Sequence, residues 1–267
     1  MSNTIGFLGG GQMATAIAKG VVAAGVTQES DLLFYEPSSG QQMKLKELFP
    51  NCFLVDSAES LFAKANRILL AVKPQVLSEI AISLRPFARE DHLLVSIAAG
   101  ISLKKLTSWF ETDRVIRVMP NTPSQSRQGA AGIAAGKGVS PADAAWCESV
   151  FGAVGKFGRC TDEQLHAVTG VSGSGPAYVL MMIEAMSDGG VMAGLSRQTA
   201  MELAVQTVLG AATMVQETGV HPAVLREQVT SPAGTTIAAL ATLERAGFRS
   251  AVIDAVMAAT KRSQEMG

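Results

Sequence analysis

The sequence predicts an α/β fold: a mostly parallel sheet covered by helices over residues 1–160, then an all-helical domain over 161–267. Three observations carry this. Short apolar runs alternate with helical stretches up to about residue 160, the pattern of consecutive strand–helix units. Strand signals then stop, and helical periodicity fills the remainder. Three glycines, Gly9 to Gly11, sit directly behind the first apolar run and ahead of an amphipathic helix. At 267 residues the chain is long enough for two domains.

The first strand is TIGFLG at 4–9, followed by a helix from about Met13 to Ala24. DLLFYE at 31–36 is the second, with a helix around 39–48 behind it. CFLV at 52–55, RILLAV at 67–72, HLLVSIAA at 92–99, RVIRVMP at 114–120 and GAAGIAAG at 129–136 continue the series. GAVGKFG at 152–158 ends it. Runs this short and apolar suit strands buried on both faces of a parallel sheet. Right-handed crossovers place the carboxyl ends of such strands along one edge, where open sheets bind ligands.

Past residue 160, TDEQLHAVTGV at 161–171 opens a short helix, with Asp162 and Glu163 suited to its first turn. A long helix follows Pro176, whose missing N–H costs nothing near a helix start. The stretch 196–219 begins with Ser196 as a cap and ends at Gly219. Helices from Thr235 to about Arg245 and from about Ser250 to Lys261 complete the half, separated by Gly247. Ala200, Leu203, Ala204, Val208, Ala211 and Ala212 wrap broadly around the helix at 197–215. A helix apolar over so much of its surface requires burial. Self-association supplies it, and a single well-packed helical domain is the alternative that the pattern leaves open.

Composition excludes several function classes. The chain is 48% hydrophobic and 17% charged, with net charge -1 and no basic stripe, which argues against nucleic-acid binding. Cys52, Cys147 and Cys160 are odd in number and widely spaced, which is no disulfide framework and points to a reducing, cytoplasmic compartment. His92, His166 and His221 share no ligand spacing with them, so no metal site is expected. No basic region precedes a separate apolar stretch at the amino terminus, so no signal peptide is read. Glu184 and Asp188 interrupt the most apolar helical candidate, 175–195, so no membrane span is expected.

The glycine turn fits a G-x-G-x-x-A frame on Gly9, Gly11 and Ala14. Gly9 makes the tight strand-to-helix turn, Gly11 leaves room for a pyrophosphate, and Ala14 lets the helix pack on the sheet. The helix start then offers unpaired N–H groups to phosphate. Glu36 stands at the end of the second strand, where a carboxylate pairs with a ribose 2′-hydroxyl and repels a 2′-phosphate. Ser38, Ser39 and Gln41 could instead donate to a phosphate, with Lys44 as counter-charge. No arginine stands in that loop, so these residues leave NADH against NADPH open, and Glu36 equally reads as an exposed strand-end charge. AVKPQV at 71–76 and VMPNTP at 118–123 close two later strands on the ligand edge. Lys73 and Asn121 become contacts to cofactor or substrate there, although Lys73 also reads as a solvated loop lysine.

TSPAGTT at 230–236 is a polar, turn-forming lead into an apolar helix. Its hydroxyls and helix-start amides suit a small carboxylate without a metal. Ordinary capping by Thr235 or Ser231 is the alternative.

Taken in order, GFLGGGQMATAI at 6–17, AVKPQ at 71–75, RVMPNTP at 117–123, GSGPAY at 173–178 and LREQVTSPAGTTIAALATLE at 225–244 resemble the pyrroline-5-carboxylate reductase family. The likeness spans essentially the whole length, and the last segment is its most specific part. The resemblance implies an amino-terminal Rossmann-type dinucleotide-binding domain. It also implies a carboxy-terminal all-helical dimerisation domain of the 6-phosphogluconate dehydrogenase C-terminal-like kind. The implied reaction is reduction of 1-pyrroline-5-carboxylate to L-proline by hydride transfer from NAD(P)H, the last step of proline biosynthesis. NADPH (NADP) is the implied cofactor, with NADH as the alternative.

Carried over residue by residue, the resemblance places the cofactor against Gly9, Gly11, Gln12, Met13, Glu36, Ser38, Ala71, Lys73, Pro74 and Asn121. Substrate contacts fall on Ser231, Gly234, Thr235 and Thr236. Thr236 becomes the catalytic residue, hydrogen-bonded to the ring nitrogen, while the Ser231, Gly234 and Thr235 region holds the carboxylate. A cytoplasmic homodimer is implied, assembled further into a decamer of five dimers, with no nucleic-acid or membrane partner. Two positions depart from the family. Ala233 stands where the loop usually has its second glycine, which should narrow the turn's freedom only mildly. Val220 replaces the acidic residue often found just before His-Pro, so a charge contact there is missing.

The chemistry asks for little else. Imine reduction needs a hydride at carbon and a proton on nitrogen, and a protonated imine is already electrophilic. The chain must chiefly align the reacting atoms and exclude water, so the lack of a histidine constellation is no obstacle. A β-hydroxyacid dehydrogenase is the enzymatic rival, poorly served because no lysine stands between Lys156 and Lys261. A non-catalytic dinucleotide-binding regulatory protein is the rival of a different class.

Overall fold

The computed structural model describes residues 4–266. Among these, strands Ile5–Leu8 (β1), Leu32–Tyr35 (β2), Phe53–Leu54 (β3), Arg67–Leu70 (β4), Leu93–Ser96 (β5), Val115–Met119 (β6), Gly129–Ala135 (β7) and Gly155–Arg159 (β8) form one sheet. Its order is β3-β2-β1-β4-β5-β6-β7-β8. β1 to β6 run parallel, β7 is antiparallel to β6, and β8 is parallel to β7. The order turns back at β1, which has β2 on one side and β4 on the other, so the switch point lies beside the glycine turn.

Helices Gln12–Ala23 (α1), Ser39–Leu48 (α2), Ala58–Lys64 (α3), Pro74–Leu84 (α4), Leu103–Phe110 (α5), Pro141–Gly152 (α6) and Gln164–Val168 (α7) accompany the sheet. Both faces are covered because strand residues alternate between two apolar layers. Ile5 and Phe7 of β1 meet Ile17 and Val21 of α1 and Val150 and Phe151 of α6. Leu8 joins Leu61 and Phe62 of α3, Leu77 of α4 and Leu106 of α5 on the other side. Each such side chain withdrawn from water contributes about 1.5–3 kcal/mol.

Helices Gly175–Met192 (α8), Arg197–Thr218 (α9), Pro222–Gln228 (α10), Thr235–Arg245 (α11) and Phe248–Met266 (α12) complete the chain. Ser196 caps α9 by accepting from the Thr199 amide, and Gly219 ends it at φ 64. Two compact units result: residues up to Ser174 together with those from Ala258, and the stretch Gly175–Met257. The second unit by itself lacks the core of a single well-packed helical domain, since its buried apolar side chains are Ala200, Ala204 and Leu225.

Three local expectations change. Helices α3 to α6 and α10 add to those the sequence marks, and α12 begins at Phe248 rather than Ser250. Asp162 does not serve the first turn of α7; it pairs with Arg117 at 2.7 Å and accepts from the Leu103 amide at 2.9 Å. The segment after α7 is a π-helical turn, Thr169–Gly173, closed by the Ser174 amide on the Thr169 carbonyl at 2.8 Å. No helix among the described residues is long and apolar enough to cross a membrane.

Candidate functional site

The glycine turn follows from close packing at the carboxyl end of β1. Gly9 has φ 99, and a β-carbon there would lie 2.9 Å from Val72 Cγ1 and 3.0 Å from the Ala71 carbonyl oxygen. Only glycine fits. Its amide donates to the Tyr35 carbonyl at 2.9 Å, and the Ala71 amide donates to the Leu8 carbonyl at 2.9 Å, which locks β1, β2 and β4 together at this edge.

Gly11 is the N-cap of α1 and has no side-chain hydrogen bond, and no acidic residue stands in the first turn. The amides of Gln12 and Met13 therefore face the turn without a capping side chain. A β-carbon on Gly11 would meet no protein atom within 4 Å. Space for a ligand and uncapped, positively polarised amides coincide at this point, the combination an anion needs. These residues fit the pyrophosphate of a dinucleotide.

Glu36, just past β2, is half-buried and braces the turn from the side. Its Oε2 accepts from the Gly10 amide at 2.9 Å and its Oε1 accepts from the Ser38 amide at 3.0 Å. Gln41 Nε2 donates to the Gly10 carbonyl at 2.5 Å, and Gln42 Nε2 donates to the Glu36 carbonyl at 2.7 Å. The loop after β2 is thus stitched to the glycine turn by side chains whose role no sequence pattern marks. Ser38 is exposed and heads α2 without a side-chain cap. Lys73 is exposed and heads α4 in the same way, with Pro74 as the first helical residue.

Asn121 is buried, at 7% exposure. Its Oδ1 accepts from the Ala130 amide at 2.8 Å and its Nδ2 donates to the Ser172 carbonyl at 3.0 Å, so its carboxamide is engaged with the protein. Gly9, Gly11, Gln12, Met13, Glu36, Ser38, Ala71, Lys73, Pro74 and Asn121 all stand at or just beyond the carboxyl ends of β1, β2, β4 and β6.

Ser231, Gly234, Thr235 and Thr236 belong to the other unit and are described by themselves. The Gly234 amide donates to the Ser231 carbonyl at 3.1 Å, closing a turn whose third residue, Ala233, has φ 56. A β-carbon on Gly234 would fall 2.2 Å from Ser231 Oγ. Gly234 is the N-cap of α11 and makes no side-chain cap bond, so neither Ser231 nor Thr235 plays the ordinary capping role. Thr235 is exposed and Thr236 half-buried in an uncapped first turn.

The remaining candidate nucleophiles and ligands have other employment. Burial pushes the Cys147 thiol far above its ordinary range and raises that of Cys52, so neither offers a thiolate. His221 caps α10, accepting from the Ala223 amide, and His166 Nδ1 meets Ser263 Oγ at 2.9 Å. No group of three or more metal-ligating side chains occurs among the described residues. A cleft of about 490 Å³ opens on Gly132, Phe157, Cys160 and Val168 and includes none of the residues of either glycine-headed helix start.

Comparison with known proteins gives this arrangement a family. Residues 162–266 match the family model described as pyrroline-5-carboxylate reductase dimerisation. Residues 4–100 match that described as NADP oxidoreductase, coenzyme F420-dependent. The chain is 45% identical to the pyrroline-5-carboxylate reductase of Arabidopsis thaliana over 98% of its own length and 95% of the relative's. The solved pyrroline-5-carboxylate reductase of Coxiella burnetii shares 32% identity at a TM-score of 0.94, covering 100% of this chain and 99% of that one. The pyrroline carboxylate reductase of Plasmodium falciparum, solved with NADP bound, shares 31% identity at a TM-score of 0.88, covering 100% and 99%. This chain belongs to the pyrroline-5-carboxylate reductase family.

Proposed function

We infer that this protein reduces 1-pyrroline-5-carboxylate to L-proline with NADPH, the last step of proline biosynthesis. The observation that carries the reading is the α11 start. A glycine-headed, uncapped helix with Thr235 and Thr236 in its first turn lies in the segment that matches the dimerisation family. Such a start attracts a small carboxylate by about 0.3–1 kcal/mol, more where it is partly buried.

The bound nicotinamide dinucleotide supplies the hydride. Gly9, Gly11, Gln12 and Met13 hold its pyrophosphate, while Glu36, its carboxylate taken up by the Gly10 and Ser38 amides rather than turned on the 2′-phosphate, braces the turn and Ser38 borders the adenosine ribose. Ala71, Lys73 and Pro74 line the rest of the edge, with the Asn121 carboxamide turned into the protein behind it. The Ser231, Gly234 and Thr235 region holds the substrate carboxylate, and the Thr236 hydroxyl orients the ring nitrogen. A functional boundary at 160/161 is supported by the end of the last strand at Arg159 and the start of the dimerisation match at 162. The protein is a homo-oligomer. We place it in the cytoplasm as a homodimer that assembles into a decamer of five dimers.

The test is an NADPH-oxidation assay with and without the cyclic imine, beside the Thr236→Ala variant. Wild-type turnover that depends on the imine is expected. In the variant, kcat/KM for the imine should fall on the order of tenfold to a hundredfold, the loss of one hydrogen bond to a charged group, with NADPH affinity unchanged. No imine-dependent oxidation would end the reading, and unaltered catalysis in the variant would remove Thr236 from the site.

A further inference from the structure

Asn121 closes β6 at the ligand edge, yet its carboxamide is turned inward. One end accepts from the Ala130 amide at the start of β7, 2.8 Å away. The other donates to the Ser172 carbonyl, 3.0 Å away, within the π-helical turn Thr169–Gly173. A π turn displaces carbonyls from the ordinary helical ladder, and π turns recur at functional sites. Here Asn121 supplies a donor to one of them. Contact at this point is close: a β-carbon on Gly173 would lie 2.9 Å from Met119 Cε, the last side chain of β6.

A second tie starts from the same strand. Arg117 of β6, 2% exposed, pairs with Asp162 at 2.7 Å at the front of the same segment. One end of residues 162–172 is therefore held to β6 by Arg117 and the other to the loop just after β6 by Asn121.

We propose that Asn121 is a positioning residue for hydride transfer, because it fixes the loop after β6, at the edge that borders the nicotinamide, by tying it to β7 and to the π-helical turn. The inference rests on the proposed reductase function. Hydride transfer is sensitive to placement, since about 1 Å of misalignment costs on the order of a hundredfold in rate. A buried side chain that fixes the loop at the cofactor edge acts on the placement of the nicotinamide without touching the reacting atoms.

Asn121→Asp tests this. The change is isosteric and keeps the acceptor for Ala130, but it replaces the donor to Ser172 with an oxygen that repels the carbonyl. Full-length wild type and variant are compared in NADPH titration, in steady-state turnover, and in the primary isotope effect with NADPH deuterated at the transferred position. Amide hydrogen exchange is followed over residues 169–174. Expected are an NADPH Kd within about threefold, kcat lowered roughly tenfold to a hundredfold, a larger isotope effect, and faster exchange in the turn. A Kd raised more than about tenfold with an unchanged isotope effect would make Asn121 a direct cofactor ligand and overturn the proposal. Unaltered kcat would overturn it too. Unchanged exchange at 169–174 sinks it whether or not wild type reduces the imine, whereas absence of wild-type turnover counts against the reductase reading. If Asn121→Asp does not fold, Asn121→Ala removes both bonds without adding charge and is read by the same measurements.

Discussion

Gly11 and Ala233 show how differently a single position can be constrained. Gly11 has φ -67, which any residue adopts, and an added methyl would meet no protein atom within 4 Å. Glycine there is explained by what must approach it, not by the fold. Gly11→Ala is therefore expected to leave the melting temperature unchanged while weakening NADPH binding by about tenfold or more, the equivalent of roughly 1.4 kcal/mol. Calorimetry and a fluorescence titration read the two effects separately, and unchanged affinity would move the pyrophosphate elsewhere. Ala233 is the reverse case. The family's glycine at that position looks from sequence like a mild replacement, but φ 56 places alanine in the left-handed region at a cost of roughly 1–2 kcal/mol. The turn ahead of α11 carries that strain.

Helix starts divide by position in the fold. Ser57, Ser102, Ser140 and Ser196 cap α3, α5, α6 and α9 with their side chains. The helices behind β1, β2 and β4, and α11 with its threonines, begin without a side-chain cap. The uncapped amides of α1 and α11 are free to meet an anion, whereas the serine caps satisfy the donors of their own helices; α7 also starts without a side-chain cap, so the lack of a cap alone marks no site. The α6 start is the most elaborate. Ser140 and Asp143 form a capping box, and the Asp143 carboxylate also takes two 2.8 Å bonds from Arg114. The Arg114 guanidinium holds the Asp143 carboxyl below its ordinary 3.8. With the folded value depressed, the stabilisation is fully present above the unfolded value and is lost as pH falls through the folded one. Asp143→Asn should thus melt below wild type at neutral pH, with the gap beginning to narrow below about pH 5 and closing only once pH is below the depressed folded value. A gap independent of pH would show that the ion pair contributes nothing.

On the scale of the molecule, the Gly175–Met257 unit has too few buried side chains to stand alone. Leu180 and Met181 of α8 are 64% and 74% exposed, Leu209 of α9 54% and Ile253 of α12 60%. Aliphatic surface on this scale marks an interface. The dimerisation match over 162–266 says what kind. A charge placed on this surface, Leu209→Glu, is expected to lower the mass in sedimentation at micromolar concentration below that of wild type, and a mass identical to wild type would take α9 out of the interface. The same shortage of burial explains the broad apolar wrap of Ala200, Leu203, Ala204 and Val208. Their pattern states that the helix must be covered but not by what.

Sequence by itself determined the central strands, β1, β2 and β4 to β6, because each is a short apolar run bounded by turn residues and burial on both sheet faces demands that texture, whereas the edge strands β3 and β8 are largely exposed. It also marked the glycine turn and the polar turn ahead of α11, since close packing at Gly9 and at Gly234 restricts which residues can stand there. Only the tertiary structure decided where Glu36, Asn121 and Asp162 direct their polar atoms. Their partners lie in other elements, Gly10 for Glu36, Ser172 for Asn121 and Arg117 for Asp162, and no local spacing encodes a hydrogen bond that exists only once distant segments have packed together.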